Sequence, residues 1–135
     1  MLFRSADGRP TTLNGAPQTA RACDDLAKAY AYTTGPEYFC PATLQAWNRV
    51  AARVRQPRYG CDCYAYALLA SGFVDLVVEA GLKPYDFLAL VPVIRGAGGI
   101  VTDWDGRALD LDSDGRVCAA GDARLHTQAL EVLAG

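Results

Sequence analysis

Two acidic residues, Glu79 and Asp86, are the strongest candidates for chemistry in this sequence. The run Phe73–Val78 predicts a buried strand that ends at Glu79, and the next predicted helix, over residues 84–95, carries Asp86 in its first turn. Binding sites of open α/β sheets lie at the carboxyl ends of strands. A charge among apolar neighbours, as at Asp86, must be paired, capped or bound to a metal. Spacing alone equally allows an Asp86 that only complements the helix dipole. Glu79 is the weaker candidate, because an acid at a strand end is usually just solvated.

The elements that must position these acids alternate between strand and helix. The Asp7-Gly8 turn predicts a hairpin of residues 2–5 and 10–13. Further strands are predicted over 28–34, 100–102 and 116–120, and helices over 41–55, 63–70 and 123–133. Such alternation predicts an α/β layer architecture.

Composition limits the class of protein. The chain has 135 residues, which suits one domain, and its net charge of -2 gives no basic footprint for nucleic acid. The longest apolar runs are too short to span a membrane. Five cysteines, an odd number, and no apolar leader after Met1 favour reduced thiols in a cytoplasmic protein.

Four other motifs favour structural roles. Asp110–Gly115 resembles the start of a calcium-binding EF-hand loop, but Gly121 occupies the position of the bidentate Glu, so a surface turn is predicted. His126 lies on the last predicted helix, where a surface or packing role is expected. Ser71 lacks the Gly-x-Ser-x-Gly context of a nucleophile. The glycines of 96–99 end a helix, whereas phosphate-binding loops open one.

Four ordered segments carry a resemblance to a known family. They are Tyr59–Gly72 (containing Gly-Cys-Asp-Cys-Tyr-Ala-Tyr), Val74–Glu79, Leu82–Phe87 (Leu-Lys-Pro-Tyr-Asp-Phe) and Gly96–Gly106 (beginning Gly-Ala-Gly-Gly-Ile-Val-Thr). Together they resemble the inositol monophosphatase superfamily of magnesium-dependent phosphatases, and the first and third resemble its histidinol-phosphate phosphatase branch. The resemblance implies that residues 1–135 form a single domain, the C-terminal half of a layered α/β sandwich with a mixed sheet flanked by helices.

The resemblance also implies roles for individual residues. Asp86 matches the family carboxylate that binds a catalytic Mg²⁺ and lies near the substrate. Glu79 matches an acid that contacts the leaving-group portion of the substrate. Cys61 and Asp62 match positions that line the substrate pocket. Asp62 either faces a cationic amine or imidazole of the substrate or caps the helix that begins near Cys63.

Complete members of the family are about twice this length, and their N-terminal half supplies a metal-binding Glu and an Asp-Pro-x-Asp-Gly-Thr motif. Neither occurs in this sequence, since Asp103-Trp-Asp-Gly106 lacks the proline and predicts a turn. Mg²⁺ is therefore expected only together with that other half, because one carboxylate cannot hold the ion. The chain alone is expected to be inactive.

The expected activity is that of a Mg²⁺-dependent phosphomonoesterase acting on histidinol phosphate, a step of histidine biosynthesis. An inositol-phosphate or other sugar-phosphate phosphatase, and a catalytically silent interaction or dimerisation module, are the alternatives. The expected partner is a small-molecule phosphate ester, with no nucleic acid and no membrane. Self-association is expected as well, because a half-domain exposes apolar surface.

Overall fold

A computed structural model describes residues 2–135, which begin with a small antiparallel sheet. Its strands are β1 (Phe3–Arg4), β2 (Thr12–Leu13) and β3 (Ala16–Pro17). Phe3 pairs with Leu13, and Leu13 in turn pairs with Ala16. The hairpin predicted from Asp7-Gly8 is thereby confirmed.

The main sheet has five short strands, which are β4 (Tyr30–Thr33), β5 (Gln56–Tyr59), β6 (Leu76–Glu79), β7 (Ile100–Thr102) and β8 (Val117–Ala120). Their order is β5-β4-β6-β8-β7. Strand β4 runs parallel to β5 and β6, while β8 runs antiparallel to β6 and β7. The carboxyl ends of three adjacent strands therefore meet at one edge of the sheet.

Helices cover both faces of this sheet. They are α1 (Pro41–Ala51), α2 (Cys63–Ala70), α3 (Pro84–Phe87), α4 (Val91–Gly96) and α5 (Ala123–Ala134). Short 3₁₀ turns occur at Leu26–Lys28 and Pro36–Tyr38. Helices α1 and α5 share one apolar cluster, and α2, α3 and α4 share another. The predicted layered α/β sandwich with a mixed sheet is confirmed.

Strand β6 shows how the sheet divides the two clusters. Leu76 and Val78 lie in the cluster of α1 and α5, whereas Val77 lies in that of α2 and α4. Successive side chains of a strand point to opposite faces, so Glu79 shares the face of Val77. Because the side chains of β6 alternate between the two faces of the sheet, that of Glu79 points toward α2.

The helix predicted over residues 84–95 is wrong as a continuous element. It is broken after Phe87 and starts again at Val91, with Pro92 in the first turn of α4. A proline within one long helix would remove a backbone donor and clash with the carbonyl four residues earlier, so the break precedes it. Asp86 consequently lies on a separate, single-turn helix.

Two other boundaries differ from the sequence predictions. Helix α1 ends at Ala51 and not near residue 55, and Gln56–Tyr59 forms the strand β5, which the sequence did not reveal. Pro57 is compatible with that strand because β5 lies at the edge of the sheet. Strand β6 begins at Leu76, later than predicted, and includes Glu79 itself.

Candidate functional site

A cavity of about 530 Å³ opens at the carboxyl edge of the parallel strands. The end of β4, the start of α2, the end of β6 and the helix α3 all contribute to its wall. Three carboxylate side chains line it, from Asp62, Glu79 and Asp86, and within residues 2–135 no lysine or arginine does. The cavity therefore brings together three of the four predicted site residues in a negatively charged environment.

Glu79 is the most enclosed of these acids, with 4% of its surface exposed. Its Oε1 accepts hydrogen bonds from the backbone N–H of Thr34 at 3.1 Å and from the Thr34 hydroxyl. Its Oε2 accepts one from the hydroxyl of Tyr66 at 2.9 Å. The interpretation of Glu79 as a merely solvated strand end is wrong, because β4 and α2 close over the carboxyl group.

Burial and hydrogen bonding act in opposite directions on this acid. Desolvation raises the pKa of Glu79 above its ordinary value, although the hydrogen bonds from Thr34 and Tyr66 favour the charged form. The pKa of Tyr66 is raised well above its ordinary value by burial and then by the neighbouring Glu79 charge. Tyr66 therefore stays protonated and donates to Glu79.

The raised pKa of Glu79 should make the stability of the fold depend on pH. A buried acid whose folded pKa lies above its ordinary value favours folding at low pH, and this contribution is lost as pH rises through the folded pKa. We expect Glu79→Gln to gain stability relative to the wild type between pH 4 and pH 8. Each pKa unit of elevation is worth about 1.4 kcal/mol.

Urea unfolding at both pH values measures this difference. The control is Glu131→Gln, because Glu131 is exposed on α5 and its replacement should leave the pH dependence unchanged. A stability difference between Glu79→Gln and wild type that is the same at pH 4 and pH 8 would contradict the assignment.

Asp86 caps its own helix and also lies at the cavity. Its Oδ2 accepts a hydrogen bond from the backbone N–H of Lys83 at 2.8 Å, which caps the first turn of α3. The side chain is exposed and also lines the cavity. Among the described residues no further hydrogen bond engages Oδ1, so the carboxylate can cap the helix and still offer an oxygen to a ligand.

The segment before α2 has an unusual backbone. Both Cys61 and Asp62 have positive φ angles, 76° and 42°, although neither is glycine. Such conformations are costly and persist where the surrounding structure enforces them. Asp62 precedes the first residue of α2, yet its side chain makes no capping hydrogen bond. The alternative of Asp62 as a side-chain cap is therefore wrong, and Asp62 lies in the wall of the cavity.

The structure separates the two predicted pocket residues at this segment. Asp62 lines the cavity, and so does Cys63, whereas Cys61 is exposed and lies outside the wall. A substrate contact by Cys61 stays a prediction. Thr34 and Tyr66 are site residues that the sequence did not reveal.

Hard oxygen ligands are what Mg²⁺ prefers, and carboxylates at the cavity match that chemistry. Asp86 can provide one such ligand. Within residues 2–135, no group of three or more His, Cys, Asp or Glu side chains is arranged to hold a metal ion.

The remaining motifs have structural roles. The carboxylates of Asp110 and Asp114 accept hydrogen bonds from backbone N–H groups of their own turn. The Nε2 of His126 lies 2.9 Å from the Thr102 hydroxyl, and burial lowers the pKa of the imidazole. His126 is 4% exposed, in agreement with a packing role.

The helices of residues 2–135 are short or carry polar faces. None of these helices is both long enough and apolar enough to cross a bilayer.

Comparison with known sequences decides the family. The sequence profile of the inositol monophosphatase family matches residues 1–134. The chain belongs to the inositol monophosphatase family. An inositol monophosphatase from Zymomonas mobilis superposes with a TM-score of 0.96 at 41% identity, covering 98% of this chain and 53% of that one. The predicted family and fold are both confirmed.

Relatives within the inositol monophosphatase family differ in their named activities. "Bifunctional phosphatase IMPL2, chloroplastic" of Arabidopsis thaliana is 55% identical over 94% of this chain and 39% of its own length. Inositol monophosphatase 2 of Homo sapiens is 34% identical over 98% of this chain and 49% of its own. Histidinol-phosphatase of Chlorobaculum parvum is 27% identical over 87% and 46%.

This family member spans about half the length, or less, of the relatives it matches. Activity, substrate and metal binding of the whole enzyme are therefore matters for proposal. The cytoplasmic location stays a prediction, and the Arabidopsis thaliana relative is named as chloroplastic.

Proposed function

We propose that this chain forms the substrate-facing side of a Mg²⁺-dependent phosphomonoesterase whose substrate has a cationic leaving group, as histidinol phosphate has. The observation that carries the proposal is the cavity wall with Asp62, Glu79 and Asp86 and, among the described residues, no lysine or arginine. Such a wall repels a phosphate unless a metal ion intervenes. It attracts an ammonium or imidazolium group, since opposite charges 4 Å apart at a protein surface attract by about 4 kcal/mol.

Each acid has a distinct part in this proposal. Asp86 supplies one Mg²⁺ ligand. Residues 1–135 act as a single domain, and the other half of the family fold supplies the remaining ligands of the metal site. The bound ion would stabilise negative charge on the phosphoryl oxygens and activate the attacking water. Asp62 and Glu79 bind and orient the leaving group at the other side of the cavity.

Replacing Asp62 by asparagine tests the substrate class. Asparagine tolerates a positive φ, so Asp62→Asn removes the charge with little change in backbone preference. With the metal-binding half supplied, we expect the KM for histidinol phosphate to rise roughly tenfold, an effect of about 1.4 kcal/mol. The KM for inositol phosphate should change little.

The matched control is Asp112→Asn, which removes the same charge from an exposed acid outside the cavity wall. It should leave both KM values as in the wild type. An equal rise of both KM values in Asp62→Asn would argue against recognition of a cationic leaving group.

An inositol-phosphate substrate is the second candidate, favoured by the inositol monophosphatases among the relatives. A sugar hydroxyl could donate to Glu79 as an ammonium does. Direct competition between histidinol phosphate and inositol phosphate on the reconstituted enzyme distinguishes the two substrates.

A silent interaction module is the remaining alternative, and it shares with the enzyme the expectation of self-association. Two aromatic side chains at the cavity are largely exposed, Tyr38 at 61% and Tyr85 at 80%. Exposed apolar patches mark interfaces. Light scattering should therefore show a species larger than one chain, and a monodisperse 14.4 kDa monomer would contradict this proposal.

A further inference from the structure

Tyr66 is a buried phenol whose role the proposed function leaves unexplained. It lies on α2, is 1% exposed, and its ring packs in the cluster shared with Phe87 and Ile94. Its hydroxyl nevertheless reaches the cavity wall and donates to Oε2 of Glu79 at 2.9 Å. A phenylalanine would fill the same space, so the hydroxyl calls for a separate explanation.

The hydrogen bonds around Glu79 leave little freedom to its carboxylate. A carboxylate offers roughly four acceptor positions, two on each oxygen. The N–H and hydroxyl of Thr34 occupy both positions of Oε1, and Tyr66 occupies one of Oε2. One position on Oε2 remains. Because the three donors come from two different parts of the fold, the end of β4 and α2, the carboxylate cannot rotate without breaking them.

We infer that Tyr66 is a positioning residue that, with Thr34, holds Glu79 so that a single acceptor position faces the substrate. A leaving group with an N–H or O–H donor fills that position, whereas a hydrocarbon leaving group leaves a buried carboxylate incompletely satisfied. Sites built to accept a hydrogen bond discriminate strongly against ligands that lack the donor. The identity of the leaving group rests on the proposed function, but the hold of Tyr66 on Glu79 does not.

Carbon-13 NMR of the 135-residue chain tests the hold of Tyr66 directly. The carboxyl carbon of Glu79 is titrated in the wild type, in Tyr66→Phe and in the control Tyr64→Phe, whose exposed ring lies on the same helix. We expect the inflection of Glu79 to move to higher pH in Tyr66→Phe alone, because a donor to the ionised form is lost. An unmoved inflection in Tyr66→Phe overturns the inference.

The other acidic groups near Glu79 and Tyr66 are the same in the wild type and in Tyr66→Phe. Burial raises both pKa values most, and smaller contributions come from Asp62 at Glu79 and from Cys118 and Asp86 at Tyr66. Both carboxylates remain in Tyr66→Phe, so the difference from wild type isolates the hydroxyl.

A second measurement needs no variant. The Cζ resonance of Tyr66 in the wild-type chain should follow the inflection of Glu79, since the two groups share a hydrogen bond. A Cζ chemical shift that does not change at the inflection of Glu79 overturns the inference, even if Tyr66→Phe fails to fold.

Binding of L-histidinol separates this inference from the proposed function. We expect Tyr66→Phe to bind L-histidinol about tenfold more weakly than wild type, because the charged acceptor Glu79 is no longer held in one orientation. Wild-type chain that fails to bind L-histidinol, together with a shifted Glu79 inflection in Tyr66→Phe, would overturn the proposed leaving group and support the hold of Tyr66. Equal L-histidinol affinity of wild type and Tyr66→Phe would contradict the positioning role.

Discussion

Replacing Asp86 by asparagine should remove Mg²⁺-dependent phosphate release almost completely while leaving the fold as stable as before. The amide oxygen of asparagine can still accept the hydrogen bond from the Lys83 N–H, so the cap of α3 is kept. The negative charge that attracts a divalent cation is lost. The ion that Asp86 would help to hold stabilises charge on the phosphoryl oxygens, and loss of one such stabilising group costs about 10²–10³ in rate.

Phosphate release by the chain together with a separately produced metal-binding half measures this effect, and urea unfolding of the chain measures stability. The control is Asp7→Asn, because Asp7 is an exposed acid in the β1–β2 turn and does not line the cavity. Activity of Asp86→Asn within about twofold of the control would contradict the proposal that Asp86 is a metal ligand.

The second large effect is expected at Gly115, which supports the loop between Glu79 and Asp86. The Gly115 carbonyl accepts a hydrogen bond from the Leu82 N–H at 3.2 Å. A Cβ at Gly115 would clash with the Leu82 carbonyl oxygen, and the φ of Gly115 is +88°. Left-handed backbone costs a side chain about 1–2 kcal/mol, and overpacking adds about 1–3 kcal/mol.

We therefore expect Gly115→Ala to destabilise the chain by about 3 kcal/mol. Gly98→Ala is the matched control, because Gly98 has a φ of +82° but a methyl group added there would meet no atom within 4 Å. Its loss should be about 1 kcal/mol, from backbone conformation alone. If urea unfolding gave the same loss of unfolding free energy for both variants, the added methyl group would not be destabilising through its contact with Leu82.

Most of the architecture could be predicted from local patterns. The Asp7-Gly8 turn, the amphipathic spacing of α1 and α5, and the apolar run of β6 each correspond to an element of the structure. Strand β5 could not be predicted this way, because Gln56–Tyr59 has no apolar alternation and contains a proline. Its pairing with β4 comes from tertiary structure, since the polar strand lies at the sheet edge.

The candidate site was less accessible to sequence reasoning than the fold. Position relative to strand and helix was enough to single out Glu79 and Asp86. Burial of Glu79 depends on Thr34, 45 positions away, and on Tyr66, whose ring is indistinguishable from core in a hydrophobic pattern. The Asp62 backbone, which leaves its side chain free of a capping role, also follows from the fold around it.

Phosphate release from histidinol phosphate with Mg²⁺ tests the central claim most directly. It should be measured for the 135-residue chain alone, for a separately produced metal-binding half alone, and for their mixture. We expect release only in the mixture, with histidinol phosphate preferred over inositol phosphate. Release by the 135-residue chain alone would contradict the assignment of Asp86 as one ligand of a shared metal site, and a mixture that hydrolyses neither substrate would contradict the proposed phosphatase function.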